Sequence, residues 1–227
     1  TKAEEVAEAC DSLYLGMSKI KKADSYSKTY NGIEALKMLE ELGVTIRMEK
    51  DDEDILREYP LDFFAFSYYR SSTVNKDSKL SPIGLCMDAN PYLKATPWGW
   101  ALDPKGIRYV LNEFYDRYDK PVMVVENGLG AFDKIDEDGK VRDTYRIDYL
   151  RRHIAELKKA CDDGCRVLAY CTWSYTDLLS WLNGYQKRYG FVYVDREEDE
   201  NSGTLNRYKK DSYFWYKKVI ETNGEDL

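Results

Sequence analysis

The chain has 227 residues, of which 43% are hydrophobic and 33% charged, with a formal net charge of −7 and a sequence pI of about 5.0. This is a globular composition, long enough for one large domain, and its acidic balance excludes a broad nucleic-acid-binding face, which has to be basic. No apolar run is long enough for a transmembrane helix and no signal peptide is visible, so no membrane partner is expected.

In chain order, residues 1–22 begin helix-like, and the chain starts at Thr1 without Met, which points to a fragment or a processed product. Residues 30–42 carry Ile33, Leu36, Leu39 and Leu42 at helical spacing, with Gly43 as the stop. Asp51 to Glu58 reads as a short acidic helix capped by Asp51 and Asp52. Residues 61–69 read as a buried strand. Residues 71–97, rich in Ser, Asn, Gly and Pro, form a long loop of the kind that carries function. Asp103 and Pro104 open a helix running to about Tyr118, with Ile107, Val110, Leu111 and Phe114 on one face.

Pro121 then introduces the apolar run Val122-Met123-Val124-Val125, which stops at Glu126 with Asn127 and Gly128 behind it. Such a run is a strand buried on both faces, so Glu126 stands at the carboxyl end of a parallel strand. Residues 131–144 are a polar hairpin-like loop turning at Asp138-Gly139. Tyr145 to Asp162 is a long helix stopped by Gly164; it holds the lone histidine, His153, to which a structural or surface role is assigned. Residues 166–173 are a further buried strand, 174–190 a loop, 190–195 a short extended run and 211–221 an amphipathic helix. The acidic residues 197–200 read as solvated loop.

Strands thus alternate with helices, an α/β pattern with parallel strands. Loops after strands are long and loops before strands are short. That asymmetry belongs to a TIM (β/α)8 barrel whose working face lies at the carboxyl ends of its strands. The five cysteines (Cys10, Cys86, Cys161, Cys165 and Cys171) are odd in number, and the CxxxC pair 161/165 has no second pair to complete a zinc set. A reduced, cytoplasmic compartment is expected, with no metal and no cofactor.

The strand ends line up Tyr68-Tyr69, Glu126 and Trp173. A phenol beside a carboxylate can hydrogen-bond and orient it, and tryptophans near strand ends (Trp98, Trp100, Trp173 and Trp181) can stack on sugar faces or simply fill core. The last post-strand loop adds Ser180, Lys187 and Tyr189, which offer hydroxyl, ammonium and phenol donors without a carboxylate. That set suits a phosphate dianion, although composition alone favours a solvated turn for Lys187-Arg188-Tyr189.

These segments resemble glycoside hydrolase family 1. Val124-Val125-Glu126-Asn127-Gly128 is similar to the family's nucleophile motif, Phe63 to Tyr69 to its sixth strand, Trp98-Gly99-Trp100-Ala101-Leu102-Asp103-Pro104 to its pre-helix loop, and Trp173 through Asp195 to its last strand and loop. The resemblance runs from about Tyr59 to the end and is faint over residues 1–58, so it implies the carboxyl-terminal portion of one barrel spanning 1–227, with 1–58 a helical segment. It implies Glu126 as nucleophile, Tyr69 as the residue that binds and orients it, Trp173 and Trp181 against the sugar, and Trp100 in the aglycone subsite. Members acting on neutral sugars carry a Glu where this chain has Ser180. The branch acting on 6-phosphosugars lacks it and places Lys and Tyr where Lys187 and Tyr189 stand, since a carboxylate would repel the 6-phosphate.

The implied activity is retaining hydrolysis of 6-phospho-β-glucosides. Trp181 keeps a 6-phospho-β-galactosidase or dual enzyme open, and the run Glu126 to Asp133 favours the glucosidase. The family's general acid lies in an Asn-Glu-Pro segment, which does not occur here; Asn112-Glu113 is followed by Phe114 inside a helix. The chain alone is therefore expected to be inactive, to need the amino-terminal half of the barrel as partner, and to be able to self-associate through open sheet edges. A non-catalytic sugar-phosphate binding module and a purely structural fragment are the competing readings.

Overall fold

A computed structural model describes residues 37, 39–73, 76–78, 88–197 and 202–227. The expectations for residues 1–22, and most of that for 30–42, lie outside the described residues, as do Cys10 and Cys86. The described residues fall into two compact units.

The first unit holds those within Thr1–Phe64, Ser72–Asp88 and Glu113–Pro121. Residues 39–41 are helical and Gly43, at φ 67°, ends that turn, where a positive φ favours glycine. Helix α1 spans Asp52–Glu58 and buries none of its residues. The expected cap is not made: Asp51 forms no side-chain cap bond, and Asp52 Oδ2 instead accepts from the Glu49 N–H at 2.8 Å. Phe64 stacks on Tyr118 at 4.9 Å and tilts against Phe114 at 4.5 Å.

The second unit holds Ala65–Ser71, Ala89–Asn112 and Val122–Leu227. Strands β1 (Phe64–Ser67), β2 (Val122–Asn127) and β3 (Val167–Thr172) lie side by side in that order. β2 and β3 are parallel, with Val122 opposite Val167 and Asn127 opposite Thr172. Helix α2 (Pro104–Tyr118) connects β1 to β2, and α3 (Thr144–Asp162) connects β2 to β3. Ile107 and Leu111 of α2 are fully buried, which explains the helical stripe read from the sequence.

β3 reads as a buried strand in the sequence, but Leu168 is 55% exposed on what is an outer strand of the sheet. β4 (Val192–Val194) pairs antiparallel with β5 (Arg207–Lys209), and α4 (Asp211–Glu221) follows. The core of this unit is built from Leu129, Tyr149, Leu150, Ile154, Phe191 and Val219. The 136–140 turn forms at Asp138-Gly139 as read, with the Gly139 N–H on Asp136 O and φ 75°.

Candidate active site

The carboxyl ends of the strands supply the site. Glu126 is the second-last residue of β2, and its carbonyl accepts the Tyr68 N–H at 2.8 Å, closing the ladder with β1. That bond fixes where the chain leaves β1. Tyr68 turns away from Glu126, and its hydroxyl donates to Asp103 O at 2.7 Å. Tyr69, one residue on, turns the other way and donates its phenol to Glu126 Oε2 at 2.9 Å. Burial, followed by this bond to Glu126, pushes the Tyr69 phenol well above its usual range, so it stays a protonated donor.

Aromatic rings and one cation line the same side. Tyr69 meets Trp100 edge-on at 5.4 Å and Tyr189 at 6.4 Å. The Lys187 ammonium sits 3.6 Å from the centroid of the Trp100 ring, 5.3 Å from that of Trp98 and 5.6 Å from that of Tyr189. Lys187 is only 2% exposed, so the solvated turn that composition favoured for 187–189 is corrected: Lys187, Arg188 and Tyr189 are all buried. Burial, and then the nearby Arg70 charge, lower the Lys187 pKa to about 8. Aromatic faces hold a desolvated ammonium where no carboxylate is supplied. Gly130 makes the room: a Cβ there would lie 2.6 Å from Lys187 Cε and 2.7 Å from Cγ. Burial raises the Tyr189 phenol to about 12, so it too remains a donor.

The loop carrying Lys187 is held by an ionic cluster that the sequence reading did not find. Ala131 and Arg188 exchange both backbone bonds at 2.9 Å. Arg146 of α3 donates to Arg188 O at 2.9 Å and pairs with Asp133 and Asp143. Lys210 pairs with Asp133 and, at 2.7 Å, with Asp177, which also takes Arg188 at 3.1 Å. All six side chains are at least nine-tenths buried. Burial raises the Asp133 carboxyl, but Arg146 and Lys210 outweigh it and hold it below the usual carboxylate range. A helix stripe contained the signal: Arg146 occupies the face of α3 that buries Tyr149, Leu150 and His153, and a charge there requires buried partners.

The other expected site residues stand apart from this cluster. Ser180 closes a turn with Gly184, each accepting the other's N–H, at 2.9 and 3.1 Å. Trp181, in the same turn, is 98% exposed. Trp173 follows β3, half-buried, with its N–H on Asn127 O at 2.8 Å. The structure thus groups Glu126, Tyr69, Trp100, Lys187 and Tyr189, and leaves Ser180, Trp173 and Trp181 outside the contacts that define the group. Among the described residues, no group of His, Cys, Asp and Glu is arranged to hold a metal ion, and no helix is long and apolar enough to cross a membrane.

Comparison with known proteins converges on one family. The Glycosyl hydrolase family 1 model matches residues 2–225. Aryl-phospho-beta-D-glucosidase BglA of Bacillus subtilis is 48% identical over 202 residues, which are 85% of this chain and 42% of that protein. A 6-phospho-beta-glucosidase of Clostridium longisporum is 48% identical over 84% of this chain and 42% of its own length; AscB of Escherichia coli, another 6-phospho-beta-glucosidase, is 45% identical over 84% and 41%. The chain therefore spans less than half the length of these relatives. A beta-glucosidase of Thermotoga maritima, solved with castanospermine, superposes with a TM-score of 0.73 at 31% identity, covering 97% of this chain and 47% of that one. The parallel strands and their helices are part of the (β/α)8 barrel of these enzymes. With a match over nearly its whole length, the chain belongs to glycosyl hydrolase family 1.

Proposed function

We propose that this chain supplies the nucleophile half of a retaining 6-phospho-β-glucosidase, cleaving 6-phospho-β-glucosides to glucose 6-phosphate and aglycone once the rest of the barrel is present. The observation that carries this reading is the Tyr69–Glu126 bond of 2.9 Å in the same cluster as the buried Lys187 ammonium. A retaining glycosidase needs an ionised carboxylate to attack the anomeric carbon and a second carboxyl group ~5–5.5 Å away to protonate the leaving oxygen. Glu126 is the attacking group. Tyr69, as a neutral donor, orients it and stabilises its charge until the glycosyl bond forms.

Lys187, Tyr189 and Ser180 are assigned to the 6-phosphate, and Trp100, Trp173 and Trp181 to the sugar and aglycone. The similarity to phospho-β-glucosidases of three bacteria supports the phosphorylated substrate. Trp181 favours a second reading, activity on 6-phospho-β-galactosides as well.

The acid/base comes from outside this chain, and its absence costs ~10²–10⁴-fold, so the chain alone is inactive. β1 and β3 are the outer strands of their sheet and are the edges on which the amino-terminal half of the barrel, or a second copy, pairs. A cytoplasmic location goes with this reading.

The test is cleavage of aryl 6-phospho-β-glucoside, its galacto epimer and the unphosphorylated glucoside by the complete barrel and by Glu126→Gln. Preference for the phosphorylated substrates, with loss of turnover in Glu126→Gln, supports the proposal. Turnover unaffected by Glu126→Gln rejects the assigned nucleophile, and saturable phosphosugar binding without turnover favours a binding module.

A further inference from the structure

We propose that Tyr149, on helix α3, is a positioning residue for the Tyr69–Glu126 pair, acting through the side chain of Asn127 and the backbone of Tyr69. The proposal rests on the glycosidase reading above. The last ladder bond between β1 and β2 is the Tyr68 N–H on Glu126 O, so the peptide after Tyr69 lies beyond the sheet. Its carbonyl is held by a side chain: the Tyr149 hydroxyl donates to Tyr69 O at 3.0 Å. The same hydroxyl accepts from Asn127 Nδ2 at 3.1 Å, and Nδ2 also donates to Tyr68 O at 2.6 Å. Asn127 Oδ1 accepts from the Tyr170 hydroxyl at 2.5 Å.

Partner chemistry fixes the direction of every proton. Tyr68 O and Tyr69 O can only accept, so Nδ2 must face Tyr68 O and Tyr149 must donate to Tyr69 O. The single hydroxyl proton of Tyr149 is then used, and Tyr149 must accept from Nδ2. Tyr170 is left as donor to Oδ1. With both amide hydrogens and Oδ1 engaged, Asn127 has no alternative orientation, and it is fully buried. Tyr149 is itself 2% exposed. Its ring lies 3.9 Å from that of His153, whose Nδ1 bonds Tyr149 O at 2.7 Å. Through Tyr149, helix α3 thus ties Asn127 at the end of β2 to the chain leaving β1 and sets the backbone from which the Tyr69 phenol projects. A phenol that must meet Glu126 Oε2 at 2.9 Å depends on that backbone at sub-ångström scale.

Tyr149→Phe removes one oxygen and keeps the ring. Measured in the complete barrel on an aryl 6-phospho-β-glucoside, it should lower kcat about tenfold with KM within about twofold. In a Tyr69→Phe background the same change should lower kcat less than about twofold, because the phenol it positions is gone. Equal losses in both backgrounds, or a loss confined to KM or to melting temperature, would overturn the proposal. Should Tyr149→Phe fail to fold, Tyr170→Phe run through the same cycle should show the same coupling to Tyr69 with a smaller loss, and its independence from Tyr69 would also overturn the proposal. Failure of the underlying reading looks different: the unsubstituted barrel would not turn over, or Glu126→Gln would leave turnover intact.

Discussion

Replacing Gly130 by Ala tests whether the Lys187 ammonium is held where the structure puts it. The added Cβ would stand 2.6 Å from Lys187 Cε, 2.7 Å from Cγ and 3.0 Å from Tyr189 Cζ. Carbon atoms pack at about 3.5–4.0 Å, so the lysine stem must move by about 1 Å. An exposed lysine would swing aside at little cost. Lys187 is 2% exposed, with the Trp100 ring 3.6 Å and the Tyr189 ring 5.6 Å from its head group, so the displacement is resisted. Overpacking of this kind costs about 1–3 kcal/mol. Gly130 has no positive φ, so the cost comes from the contact and not from backbone strain.

The thermal midpoint of Gly130→Ala should therefore drop by several degrees. In the complete barrel, KM for a 6-phosphorylated substrate should rise about tenfold or more, while cleavage of an unphosphorylated aryl glucoside changes far less. If the midpoint and KM both stay unchanged, Lys187 is not packed between Gly130 and Trp100, and the phosphate site assigned to it loses its basis.

Anion affinity should depend on the titration of Lys187. With its pKa lowered to about 8, the residue is a cation below that pH and neutral above it, so glucose 6-phosphate affinity should fall as pH rises through about 8; a flat titration to about pH 10 would contradict this. His153, buried and held at a pKa of about 4 chiefly by desolvation, is neutral in the fold, while an unfolded histidine protonates near 6.5. The unfolded chain binds more protons between these values, so stability should be lost as pH falls from about 6.5 to 4, by about 3 kcal/mol from this group. Urea unfolding of His153→Gln across that window should show a weaker pH slope. Asp133→Asn strips the buried cations Arg146 and Lys210 of a shared partner and should cost about 3–5 kcal/mol, measured by denaturant unfolding. Arg142→Ala breaks only exposed pairs with Asp136 and Asp138 and should leave the midpoint where it was.

The parallel strands and connecting helices were legible because their apolar residues follow the periods of buried strand and amphipathic helix. Pro121 through Glu126, and Ile107 with Leu111, show those periods most clearly. β5 was not legible: Arg207-Tyr208-Lys209 has no apolar alternation and is a strand only because β4 lies beside it. The exposure of Leu168 was equally hidden, since a strand's place at a sheet edge is set by its neighbours.

At the site, the strand ends put Tyr69 near Glu126 and the last post-strand loop supplied Lys187 and Tyr189, while Trp100 joined them only through the resemblance to glycoside hydrolase family 1. The buried cluster escaped because Asp133, Asp177 and Lys210 are spread over 77 residues and each alone reads as surface charge. Asn127 reads in the sequence only as the residue behind Glu126, yet its side chain ties Tyr68, just past β1, to Tyr149 of α3 and Tyr170 of β3. Ser180 was grouped with Lys187 by motif order, but a loop's sequence does not fix how its turn is folded, and here the turn bonds to itself.

The measurement that bears most directly on the account is covalent trapping of the nucleophile. The complete barrel would be incubated with a 2-deoxy-2-fluoro-6-phospho-β-glucosyl fluoride, whose leaving group needs no protonation, and the labelled peptide identified by mass spectrometry. The account predicts a single glycosyl adduct on Glu126, absent in Glu126→Gln. An adduct on another carboxylate, or none while turnover continues, would contradict it.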